Sequence, residues 1–183
     1  MIGNYWLEGH ALVSGDDRIA DAAGRKPPEL NHPLDWARFQ AELHQAAVVV
    51  LGRKSHESDP GRPGRRRLVM SSSVRGIERR GDAWWWNPAE AELEEALAVA
   101  APGGGLVAIP GGMRVFDTFL SVGYDAFHLA RLPAVTLPGG MPVFSACDQG
   151  DTAEGVLAEA GLALAEMETL DPEVGLTVEV WRR

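Results

Sequence analysis

The sequence predicts an α/β fold built on a largely parallel sheet. Three observations carry this. Short apolar, β-branched runs alternate with stretches of helix formers, as in LVAI and AEAELEEALAVA. Several of those runs end in Gly, Ser or Pro-Gly just before a helix should start. With 183 residues, 45% of them apolar, the chain fits one domain over residues 1–183 that buries close to ~70% of its unfolded surface.

In chain order, strands are expected at His10–Val13, Ala47–Leu51, Arg67–Met70, Ala83–Trp86, Leu106–Ile109, Ala126–Leu132 and Leu176–Trp181. The first helix runs from Pro33 to Leu43, with Leu34, Phe39 and Leu43 at helical spacing and Trp36 close by. Asn87-Pro88 reads as a cap and first-turn proline for the helix behind it. A third helix follows Gly111-Gly112 and passes through Val115, Phe116 and Leu120. The terminal LTVEVWRR has no convincing helix before it and reads as an antiparallel edge strand. Trp84-Trp85-Trp86 reads as a strand of alternately buried rings.

Charge and composition narrow the function classes. A net charge of −9 argues against nucleic acid, which selects basic surfaces. The dense basic run Arg62–Arg67 is too short for a duplex but suits a phosphate or carboxylate. No apolar run approaches the ~18 residues of a membrane span, and the N-terminus has no basic start followed by an apolar stretch. The lone Cys147 excludes an internal disulfide and fits a reducing compartment, so a cytoplasmic protein is expected. The five histidines show no metal-ligand spacing, and no metal is expected. His10 and His56 read as packed or solvent-facing residues rather than catalytic ones.

Three strand ends suit anions: Gly52-Arg53-Lys54-Ser55 after VVVL, Ser71-Ser72-Ser73 after LVM, and Pro110-Gly111-Gly112 after LVAI. Glycine admits close backbone approach, and a following helix offers free N–H groups and its positive dipole end. In open α/β sheets such loops border one crevice. Asp35 lies in the first turn of its helix with Phe39 four residues on, so both point along one face. The plain reading is a helix N-terminal acid; the sharper one is a buried carboxylate beside an aromatic wall. That pair suits a flat, nitrogen-rich heterocycle whose amidine-like edge gives two parallel hydrogen bonds.

The order HPLDWARF, VVVLGRKSHES, GRPGRRRLVMSSS, IPGGMRVF and TVEVWRR resembles dihydrofolate reductase over nearly the whole chain. The resemblance implies that family's three-layer fold and NADPH-dependent reduction of dihydrofolate to tetrahydrofolate by a monomer or homodimer. Asp35 would hold the pterin as the catalytic residue, relaying a proton or only stabilising the cation, with Ala11 and Phe39 on the substrate and Arg65 on the glutamate-tail carboxylate. Arg53, Lys54 and Ser72, with Ser71, would surround the cofactor's 2′-phosphate. Ser55, Gly111 and Gly112 would lie on the pyrophosphate and Arg114 near the adenosine end, with Gly52, Met113 and Val115 also in the cofactor site. Leu12, Ile19 and Ala20 would complete the cofactor site.

The chain departs from that family's pattern at Leu30, Met113 and Ala130, where Trp, Gly and Thr are usual. Ser14–Ala20 and Leu137–Phe144 are similar instead to the pyrimidine reductase of riboflavin synthesis, which would make Asp16 a substrate-site residue, against a plain turn acid. A reductase of another small heterocycle and a non-catalytic nucleotide-binding relative are the alternatives to folate reduction.

Overall fold

A computed structural model describes residues 2–59, 61 and 64–183. Arg62, the first residue of the basic run, lies outside them. The strands are β1 (Tyr5–Ser14), β2 (Arg18–Ala20), β3 (Val48–Gly52), β4 (Arg67–Met70), β5 (Ile77–Arg80), β6 (Ala83–Trp86), β7 (Gly105–Gly111), β8 (Ala126–Leu132), β9 (Met141–Pro142), β10 (Ala163–Asp171) and β11 (Leu176–Arg182). The helices are α1 (Pro33–Gln45), α2 (Arg53–Ser58), α3 (Leu93–Ala100), α4 (Met113–Val122) and α5 (Ala153–Glu159).

The main sheet has the order β10-β11-β8-β1-β7-β3-β4-β6-β5. Its middle, β8-β1-β7-β3-β4-β6, is parallel throughout, and both flanks are antiparallel. The antiparallel edge expected at the C-terminus is a hairpin. Strand β11 is antiparallel to β8 but interior, and β10 forms the outer edge. Strand β10 escapes a pattern reading because most of its side chains are exposed on both faces, so it has no period-2 signal.

Both sheet faces are covered, which gives three layers. Alternate residues of β3 and β7 divide between them. Val48, Val50, Val107 and Ile109 join Leu97 of α3 and Phe116 and Phe119 of α4 on one side. Val49, Leu51 and Ala108 meet Leu43 and Phe39 of α1 on the other. Helix α1 starts as the sequence dictates: the His32 ring accepts from the Leu34 N–H at 3.3 Å, and Pro33 occupies the first turn.

Helix α3 begins later than Asn87-Pro88 suggests. Asn87 caps a turn, its Oδ1 accepting from Ala89 N at 3.2 Å, and the helix waits until Leu93. The tryptophans of β6 do not alternate between core and solvent: Trp85 and Trp86 are both buried, in separate clusters. Among the described residues no helix is long and apolar enough to cross a membrane.

Candidate active site

A cavity of about 410 Å³ opens between α1, β1 and the ends of β3 and β7. Register explains why the ends meet: Leu51 of β3 pairs with Gly111 of β7, and Gly52 pairs with Met70 of β4. The three anion-suited loops therefore emerge side by side.

Ala11, Leu12, Ile19, Ala20, Asp35, Phe39, Ser55, Arg65, Gly111 and Gly112 all line this cavity. Asp35 is half-buried rather than buried, since it sits in the exposed first turn of α1. Burial pushes its carboxyl above the usual range and Glu42 adds to this; Lys26, His32 and Arg38 pull the other way without cancelling it. Phe39 is half-buried on the same helix face. Arg65 directs both terminal nitrogens toward Gln40 Oε1, each at 3.3 Å. Its neighbour Arg67 is structural: buried, it donates to the Asp59 carbonyl at 2.6 Å and pairs with the Asp59 carboxylate at 3.2 Å.

Gly111 and Gly112 both have positive φ, +81° and +101°, which L side chains rarely adopt. A Cβ on Gly111 would stand 2.0 Å from the Phe116 ring. The backbone turns there to open α4, whose first N–H groups face no preceding turn. Val115 follows in the first turn of α4. It is buried in the core, and its N–H donates to Gly112 O at 2.8 Å, leaving Met113 and Arg114 to offer theirs.

Gly52, Arg53, Lys54, Ser71, Ser72, Met113 and Arg114 stand beyond the cavity wall, at the strand ends and first helical turns around it. Arg53 meets Glu57 at 2.9 Å in an exposed pair, the kind that contributes about 0–1 kcal/mol and exchanges readily for a phosphate. Ser71 and Ser73 hydroxyls lie 2.8 Å apart in the turn after β4.

No protein-family model matches the chain, and its sequence matches no curated protein. Solved structures do match. A dihydrofolate reductase from Enterococcus faecalis complexed with NADP(H) superposes with a TM-score of 0.65 at 18% identity, over 97% of this chain and 96% of that one. A pyrimidine reductase-like protein from Corynebacterium diphtheriae gives 0.71 at 14% identity, over 97% and 91%. A Thermotoga maritima diaminohydroxyphosphoribosylaminopyrimidine deaminase/5-amino-6-(5-phosphoribosylamino)uracil reductase gives 0.62 at 17%, over 98% of this chain and 56% of that one. The fold is that of dihydrofolate reductase.

Within this dihydrofolate-reductase-like frame, Asp16 does not line the cavity. Its carboxylate accepts from the Leu137 N–H at 3.0 and 3.1 Å and from the Ser14 hydroxyl, tying the segment after β1 to the segment after β8. Burial raises its pKa, but those donors and Arg18 outweigh it and hold the carboxyl below the usual range. Asp17 does similar work: it pairs with Arg131 at 2.7 Å and accepts from Ala153 N at 3.1 Å at the start of α5.

Sequence reasoning missed a polar cluster on the cavity wall. His10 of β1 and His128 of β8 are register partners, with rings stacked at 4.7 Å. Glu42 of α1 reaches both, and Arg38 reaches Glu42. His10 thus has an acid beside it, one that lies 32 positions away in sequence and one helix away in space. Burial, reinforced by His10, lowers the His128 pKa to about 4. His56, by contrast, lies edge-on to Trp85 outside the cavity.

Proposed function

We propose that the protein is an NADPH-dependent reductase acting on a C=N bond of a small heterocycle, with dihydrofolate as substrate. One observation carries the reading: a single cavity joins a half-buried carboxylate (Asp35), an aromatic wall (Phe39) and a guanidinium (Arg65) to the Gly111-Gly112 turn and Ser55. The first three suit a pterin edge, its rings and a tail carboxylate. The glycines and hydroxyl suit a pyrophosphate, since backbone N–H groups can approach it without a Cβ between.

NADPH supplies the hydride when bound; the chain supplies position and charge. Gly52, Ser55, Gly111 and Gly112 hold the pyrophosphate, with Arg53, Lys54, Ser71 and Ser72 around the 2′-phosphate. Met113 and Arg114 flank the adenosine end. Leu12, Ile19 and Ala20 form the wall against the nicotinamide. On the substrate side, Asp35 accepts two hydrogen bonds from the heterocycle and favours positive charge as the ring nitrogen gains its proton. Burial raises the Asp35 pKa above the usual carboxylate range, so Asp35 suits proton exchange better than an exposed acid does. Ala130 packs in the apolar cluster with Leu12, so no hydroxyl supports the acid from β8.

A second reading, reduction of a more polar heterocycle such as the riboflavin-pathway pyrimidine, is favoured by His10, Glu42 and His128 on the same wall. NADPH oxidation measured with dihydrofolate beside that pyrimidine separates the two. Turnover of dihydrofolate, lost in Asp35→Asn, supports the first; turnover of the pyrimidine alone replaces it with the second. Oxidation with neither substrate would sink both.

A further inference from the structure

His10, Glu42 and His128 come from three elements and converge on one point of the cavity wall. Glu42 places Oε2 at 2.9 Å from His10 Nδ1 and Oε1 at 3.5 Å from His128 Nδ1. One potential ligand atom from each residue lies within 4.8 Å of the other two. Around an ion held at ~2.0–2.1 Å, neighbouring ligand atoms stand about 2.9–3.4 Å apart, so the His10–Glu42 spacing suits coordination and the His128–Glu42 spacing needs only a small closure. The other nitrogen of each ring, Nε2, lies 3.9 Å (His10) and 3.8 Å (His128) from the same Glu8 oxygen. Neither distance is a hydrogen bond, but a carboxylate on that side of the rings is where outer support for metal-binding histidines comes from.

Two further facts favour a cation at this point. His10 is buried, its side chain 3% exposed, and neither ring nitrogen makes an aligned hydrogen bond. Three carboxylates (Glu8, Glu42 and Glu168) surround the cluster against two guanidiniums, Arg38 and Arg182, so negative charge is in excess. Arg38 now lies 3.1 Å from Glu42 and 3.4 Å from His128, where it competes with an ion. Its 2.6 Å pair with Glu168 would retain it after displacement.

We propose that His10, Glu42 and His128 form a site for a divalent first-row transition-metal ion on the cavity wall. Two imidazoles and one carboxylate suit Zn²⁺, Co²⁺ or Fe²⁺ over Mg²⁺ and Ca²⁺, which take oxygen ligands. All three residues line the cavity, so the ion's remaining positions are reached from it. The proposal does not depend on the reductase reading.

The test uses tag-free, chelator-stripped protein titrated with Co²⁺ by absorption and with Zn²⁺ by calorimetry. One ion per chain is expected. Glu42→Gln and His128→Ala should each weaken it by about tenfold or more, the scale seen even for outer support residues. Arg38→Gln should tighten it several-fold, because it removes the competing cation. His44→Ala, on the exposed side of α1, should change nothing. If a variant fails to fold, Zn-edge X-ray absorption on the unaltered protein decides, by finding or not finding two imidazole ligands. Absence of saturable binding, or binding indifferent to Glu42 and His128, overturns the proposal.

Discussion

Replacing Gly111 with alanine tests whether the backbone beside the proposed pyrophosphate site is fixed by packing as well as by conformation. The residue has φ +81°, and placing an L side chain in that region costs about 1–2 kcal/mol. The new Cβ would lie 2.0 Å from Phe116 Cζ. Phe116 cannot easily retreat: it is 1% exposed and packs on Phe127 and Phe144 at 5.4 and 6.0 Å between ring centroids. Forcing one extra carbon into such a core costs about 1–3 kcal/mol. Alanine stiffens the unfolded chain, which offsets about 0.4–1 kcal/mol. The net expectation is a loss of about 2–4 kcal/mol, or roughly 5–15 °C in Tm for a chain of this size. Gly112→Ala is the control. It has φ +101° and nothing within 4 Å of a Cβ, so strain alone should cost about 1 kcal/mol. Urea and thermal unfolding of both variants provide the comparison. Equal losses would mean that Phe116 yields freely and that the turn is not held by the core.

Other perturbations follow from the same geometry. Asp35→Asn should lower turnover by roughly 10²-fold or more and leave NADPH affinity nearly unchanged; full activity would move the proton chemistry elsewhere. The same variant should be as stable as the parent or more so at pH 7. A carboxyl whose folded pKa is raised subtracts stability above that pKa, and the difference should vanish as pH falls below the ordinary value of 3.8. Denaturation at both pH values checks the sign, and a variant less stable at pH 7 contradicts it. Arg53→Ala with Lys54→Ala should weaken NADPH by tenfold or more and NADH little, because each charge-assisted contact contributes about 1.5–3 kcal/mol; equal losses refute the assignment. Asp17→Ala removes the Arg131 pair and the Ala153 N–H acceptor, and should cost about 2–4 kcal/mol in urea unfolding; a loss below ~0.5 kcal/mol would mean water replaces both.

The parallel middle of the sheet was legible because β3, β4, β6 and β7 hold short apolar runs that end at Gly, Ser, Pro or Asn, as in VVVLG and LVAIPGG, whereas Glu8 and Gly9 interrupt β1 and hid its first half. Asp35 and Phe39 were legible because helical spacing puts i and i+4 on one face. The edge was not. Strand β10 is exposed on both sides, and α5 is only seven residues long, so neither buries enough in pattern to announce itself. Asn87-Pro88 looked like a helix start because Asn caps turns and helices by the same hydrogen bond. Asp16 looked like a site residue because a loop acid in sequence carries no record of the backbone N–H it will satisfy. The His10–Glu42–His128 cluster was invisible for a similar reason: strand register and helix docking bring together positions that no linear spacing connects.

The central claim is that the ends of β3, β4 and β7 bind a 2′-phosphorylated dinucleotide beside Asp35. Equilibrium binding of NADPH and NADH to the unmodified protein, followed by quenching of its tryptophan fluorescence, tests it most directly. The account predicts saturable binding of one NADPH per chain, at least about tenfold tighter than NADH. Equal affinity for the two, or no saturable NADPH binding, would contradict it.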